Sequence, residues 1–173
     1  MARSKRVTRS TTLLVVGEGA DDKAFIDYMK QLFCPRNCGR TAKIEAGDGG
    51  SAGNVIENAI RSFKSIDYDR RILVLDSDLP PTIEQEKRAQ RNGYCIILWS
   101  PQSLEGALLD VLGEKVGDYE SSQKLKQRLH PRLAGKHTTP SAYRILFPLS
   151  VLEQTHNVSV SQVRATLKGG QTY

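Results

Sequence analysis

Three short apolar runs, each ending at an acid or a hydroxyl residue, constrain this chain more than anything else in it. Leu13-Leu14-Val15-Val16 leads into Gly17-Glu18, Ile72-Leu73-Val74-Leu75 into Asp76-Ser77-Asp78, and Tyr94–Trp99 into Ser100-Pro101. Runs of this length without polar alternation fit strands covered on both faces, as in a parallel sheet. The segments between them repeat at helical spacing. Phe25, Ile26, Met29, Leu32 and Phe33 share a face of a helix predicted over 21–33, and Val55, Ile56, Ala59, Ile60 and Phe63 a face of one over 54–63. Pro80-Pro81 before Thr82 starts a helix that Gly93 closes, Ser103 opens another reaching residue 112, and residues 42–45 make a further strand. Strand and helix thus alternate over 12–112, which predicts an α/β fold with an open, mostly parallel sheet and helices on both faces.

Ligands of such sheets bind beyond the carboxyl ends of the strands. Glu18, Asp76 with Asp78, and Ser100 with Glu105 all follow predicted strands, so the architecture gathers them along one edge. Taken singly, each acid has an ordinary explanation as a turn residue or helix cap, and Asp21 reads as an acid complementing the dipole of the helix it opens. Asp76 and Asp78 resist that explanation, because carboxylates at i and i+2 after an apolar strand repel unless a cation lies between them. Oxygen donors so placed suit one or two Mg²⁺ or Mn²⁺ ions beside a phosphate.

A chain of 173 residues has the length of one domain. Its net charge of +6 is unevenly spread. Residues 1–10 carry four Lys/Arg and no acid, 11–120 carry 13 basic and 18 acidic residues, and 121–173 carry eight basic residues and Glu153, giving +4, −5 and +7. The expected organisation is a basic arm at 1–11, a metal-binding domain at 12–112 and a basic, mainly helical extension at 113–173. Its helices are predicted near 122–129, at 141–152 broken around Pro148, and at 161–167. Lys124, Lys126, Arg128 and Arg132 are the candidates for holding a nucleic-acid backbone, since cations at the ends attract phosphates while the acidic middle attracts metal. Aromatic residues are only 6%, which leaves little for base stacking. The apolar runs fall far short of the roughly 18 residues of a membrane span. Cys34, Cys38 and Cys95 show no framework spacing and read as free thiols, so the expectation is a cytoplasmic protein without a membrane partner.

The run Leu13 to Val16, Gly17-Glu18-Gly19-Ala20-Asp21-Asp22 and a helix, followed downstream by Ile72 to Leu75 and Asp76-Ser77-Asp78, resembles the Toprim domain of topoisomerases, primases and overcoming-lysogenization-defect (OLD) nucleases. That family pattern is a strand ending in Glu-Gly, an acid four residues after the Glu, and a later strand ending in Asp-x-Asp. Ser100-Pro101-Gln102-Ser103-Leu104-Glu105 brings it closest to the OLD and RloB-like branch, in which a further strand ends in a Ser/Pro turn before a helix with another Glu. The resemblance covers residues 12–110 and implies a Mg²⁺-dependent nuclease. It makes Glu18 a metal ligand and proton-transfer group, Asp76 and Asp78 metal ligands, and Asp22 and Glu105 ligands of a second ion. It also implies a lysine near the scissile phosphate, for which Lys136 is the first candidate and Lys124 and Lys126 are competitors. Such proteins are fused to or paired with ATPases in phage defence, so the resemblance implies an ATPase partner.

Other readings compete. A non-catalytic Toprim-like module that docks onto an ATPase through the basic extension is the alternative from a different class. Metal-dependent glycosyltransferases also use Asp-x-Asp, but their two subdomains need more chain than this. Haloacid-dehalogenase phosphatases carry Thr where Pro80 stands, and Asp22 departs from the dinucleotide fingerprint begun by Gly17-x-Gly19. Residues 47–53, Gly-Asp-Gly-Gly-Ser-Ala-Gly, read as a flexible loop whose backbone N–H groups can also reach a phosphate. Cys34 and Cys38 offer half a zinc site, yet His130, His137 and His156 are not paired at ligand spacing.

Overall fold

Each apolar run forms a strand, the first two extended by backbone pairing to seven residues and the third keeping its six. β1 (Thr11–Gly17), β2 (Arg40–Ala46), β3 (Arg70–Asp76) and β4 (Tyr94–Trp99) form one sheet in the order β2-β1-β3-β4, every neighbouring pair parallel. This is a computed structural model, and it describes residues 10–170. Of the basic arm expected at 1–11, residues 1–9 lie outside the described residues, and Thr11 already belongs to β1.

Alternation along the strands divides the core in two. Leu13, Val15, Ile72, Val74, Ile97 and Trp99 face one side, while Leu14, Val16, Leu73, Leu75 and Tyr94 face the other. α1 (Ala20–Phe33) and α4 (Leu104–Val111) cover the first face through Phe25, Ile26, Met29, Leu108 and Leu109. α2 (Ala52–Phe63) and α3 (Ile83–Arg91) cover the second, through Val55, Ile56, Ala59, Ile60 and Ala89. The structure is therefore an α/β fold with an open parallel sheet and helices on both faces.

Residues beyond 112 complete the first face. α5 (Ser122–Leu129), 3-10 turns at His130–Arg132 and Pro140–Tyr143, α6 (Leu149–Gln154) and α7 (Val158–Leu167) follow one another. Leu125, Leu129, Tyr143, Phe147, Leu152, Val160, Val163 and Leu167 are buried in the same cluster as Phe25 and Trp99. Phe25 meets Trp99, Tyr143 and Phe147 edge to face, with centroids 6.1, 5.3 and 6.0 Å away. The Tyr28 hydroxyl donates to the Phe147 carbonyl at 2.8 Å, and Arg40 Nε to that of Leu167 at 3.0 Å. α7 starts three residues earlier than its apolar pattern, because the Asn157 side chain caps it by accepting from the Val160 amide at 3.0 Å. Among the described residues no helix is long and apolar enough to cross a membrane.

Candidate metal centre

The chain runs from β1 outward to β2 and then back across to β3, so strand order reverses between β1 and β3. A crevice opens at such a reversal, and here both strands end in acids. Gly17 lets the first turn of α1 fold back over the end of β1, since a Cβ there would lie 2.5 Å from Asp22 Cβ. Asp22 is held by both oxygens: Oδ2 accepts from the Gly19 amide at 3.0 Å and Oδ1 from Trp99 Nε1 at 2.6 Å. Glu18 spans to the next strand, its Oε2 accepting from the Asp76 amide at 3.0 Å. Asp76 Oδ1 in turn accepts from the Leu104 amide at the start of α4, at 3.3 Å. That helix is capped by Ser103, whose hydroxyl also donates to Glu105 Oε2 at 3.2 Å.

Two adjoining pockets share Glu18 and Asp76. One, of about 360 Å³, is walled by Glu18, Asp21, Asp22, Asp76 and Glu105 with His137 and Lys126. The other, of about 420 Å³, holds Glu18, Asp76 and Asp78 together with Lys126 and residues 50–53. The structure thus brings all five expected ligands to one edge but separates Asp78 from Asp22 and Glu105. Asp78 is exposed, and its Oδ1 accepts from the Leu79 amide at 2.8 Å.

Such crowding distorts ionisation. Burial, followed by the charges of Asp22, Glu18, Glu105 and Asp78, pushes Asp76 up to about 9. Burial also pushes Asp22 up to about 7, against the opposing hydrogen bonds from Trp99 and Gly19. A carboxyl surrounded by four others is returned to its charged form by a divalent cation, and the donors are hard oxygens on a partly open cleft. The residues therefore fit Mg²⁺ or Mn²⁺.

The lysines are resolved by position. Lys126 lines both pockets, whereas Lys136 is exposed and lines neither, although its neighbour His137 does. Lys124 lies 3.9 Å from Glu120. Arg128 and Arg132 are held by Glu120 and Glu114, at 2.7 and 2.6 Å. The glycine loop is fixed at its start, where the Gly47 and Gly49 amides donate to the Gly17 and Glu18 carbonyls at 2.8 and 2.9 Å. It delivers the N-terminus of α2 to the pocket containing Asp78.

Sequence reasoning missed one group. Asp21 Oδ1 is 2.5 Å from His137 Nδ1, His130 Nε2 is 3.1 Å from Glu105 Oε1, and the two imidazoles stack at 4.2 Å. His130 sits on a 3-10 turn and His137 on the loop beyond it, so no strand or helix period marks them as a pair. Cys34 and Cys38 lie elsewhere, where Gly39 meets the amino end of β1, with their sulfurs 3.2 Å apart. Among the described residues no histidine groups with them. No family model, curated protein or solved structure matches this chain.

Proposed function

We propose that the chain is a Toprim-type, metal-dependent phosphodiesterase that cleaves nucleic acid. The observation that carries this reading is the convergence of Glu18, Asp22, Asp76, Asp78 and Glu105 on two joined pockets at the strand-order reversal. A divalent cation held there supplies Lewis-acid activation of water and neutralises charge developing on a phosphate. Glu18 and Asp76, which line both pockets, would hold a cation in either one, joined by Asp78 in one pocket and by Asp22 and Glu105 in the other. Lys126 and the N-terminus of α2 place positive potential beside the acids, where a phosphodiester oxygen would otherwise be repelled. Lys126 takes the phosphate-steadying role in place of Lys136, because it alone of the three lysine candidates lines the cleft.

The decisive experiment offers single-stranded DNA, duplex DNA and tRNA to the wild type, Glu18→Gln and Asp76→Asn with Mg²⁺ or Mn²⁺, after all three are shown to be folded. Metal-dependent cutting by the wild type, lost in both variants, is the expected result. No cutting together with no metal-induced shift in melting temperature would overturn the reading. Metal binding without cutting would favour the non-catalytic module that docks onto an ATPase.

A further inference from the structure

We propose that Asp21, His130 and His137 form a mixed nitrogen and oxygen site for Zn²⁺ on the wall of the acidic cleft. Each residue offers one donor atom, and the three atoms lie within 4.8 Å of one another. One carboxylate serves both rings: His137 Nδ1 is 2.5 Å from Asp21 Oδ1 and His130 Nε2 is 3.9 Å from Asp21 Oδ2. The imidazoles stack within 11° of parallel.

The donors are set from behind as well as in front. Glu105, nearly fully buried, lies 3.1 Å from His130 Nε2, the nitrogen that also faces Asp21, and holds that ring against the start of α4. The Tyr143 hydroxyl donates to the His137 carbonyl at 2.6 Å and ties the loop to the core. Asp21 is held in the first turn of α1. Three protein donors leave a position open toward the cleft, which both Asp21 and His137 line. Two imidazoles and a carboxylate with an open position suit Zn²⁺ and other imidazole-binding cations, whereas Mg²⁺ selects all-oxygen surroundings. The cleft then has an all-oxygen donor set around Asp76 and a set with two borderline imidazole nitrogens, His130 and His137, beside Asp21, so its two sides differ in the metal they prefer.

The rival account is that these contacts only tie the 3-10 turn and its loop to α1. Histidine-ring NMR of the full chain decides between them, because it contains three histidines and the third, His156, lies away beside Asn157. Zn²⁺ added to metal-free protein should move the ring nitrogens of His130 and His137 and leave those of His156 in place. Co²⁺ should give the visible absorption of a nitrogen-ligated site, displaced by Zn²⁺ and resistant to excess Mg²⁺. His130→Gln and His137→Gln should each weaken Co²⁺ binding by at least about tenfold, while Asp78→Asn should not. Unmoved ring signals, equal movement of all three histidines, or Co²⁺ bands unchanged in both histidine variants would each overturn the site. These readouts need no substrate, so they stand or fall separately from nucleic-acid cleavage.

Discussion

Asp76 lies where burial and four neighbouring carboxylates all oppose its charge, and Asp22 where burial outweighs two donated hydrogen bonds. Both carboxyls are raised above their ordinary value of 3.8, so protons bind the folded chain more tightly than the unfolded one. Their contribution to stability is complete on the acid side and is lost as pH rises through about 7 and then about 9. Melting temperature in a chelator should therefore fall across that window, and added Mg²⁺ should restore more at its alkaline end. Asp76→Asn should flatten the alkaline part of the fall and abolish the Mg²⁺-induced rise; a fall as steep as in the wild type would contradict the assignment. Trp99 supports Asp22 through its indole N–H, the only indole in the chain. Trp99→Phe removes that donor and lets the Asp22 carboxyl rise further. Metal affinity should drop by about tenfold at neutral pH, the cost of one hydrogen bond to a charged group, and the deficit should shrink as pH rises. Isothermal titration at two pH values checks it.

α4 shows how tightly an element is placed to serve the site. A Cβ on Gly106 would lie 2.0 Å from the Pro101 carbonyl oxygen, so α4 presses against the Ser100-Pro101 turn as only a glycine allows. Lifting the helix would withdraw the Leu104 amide from Asp76 and Glu105 from His130. Gly106→Ala should cost about 1–3 kcal/mol and weaken metal binding, as thermal melts with and without Mg²⁺ would show. Gly53→Ala, whose Cβ meets the movable end of the Gln85 side chain, should cost less. Elements of this kind were largely legible: apolar runs at 13–16 and 72–75 and the helix starts at Thr82 and Ser103 mark strands and helices through local chemistry. Acids after the strands were legible too, since a parallel sheet aligns its carboxyl ends. Strand order was not, because Leu14 and Val16 fit either neighbour equally. The stacked histidines were illegible for a stronger reason: His130 meets Glu105 and His137 meets Asp21 only after α5 has packed back onto the first face of the sheet.

At the scale of the molecule, the basic segment beyond residue 112 plays two roles that composition alone keeps apart. Its apolar side chains close the core over Phe25 and Trp99, and its Lys126 and His137 wall the cleft. Removing residues 121–173 should therefore collapse the fold rather than yield an active domain lacking a docking tail. Circular dichroism and amide NMR of the truncated chain would check this, and a cooperative thermal transition would refute it. The proposed contact with nucleic acid can be narrowed by the same logic. Glu120 and Glu114 already neutralise Arg128 and Arg132, and Glu120 lies beside Lys124, while Lys126 faces both pockets without an ion pair among the described residues. A paired arginine releases few counterions when a phosphate arrives, because its own carboxylate must be displaced first. Lys126→Ala should then weaken nucleic-acid binding and lower the dependence of log affinity on log salt by about one contact. Arg132→Ala should change that slope little. Fluorescence anisotropy over a salt series separates the two: equal losses in slope would mean that a diffuse basic surface holds the strand, whereas a loss confined to Lys126 would place the phosphate within the acidic cleft.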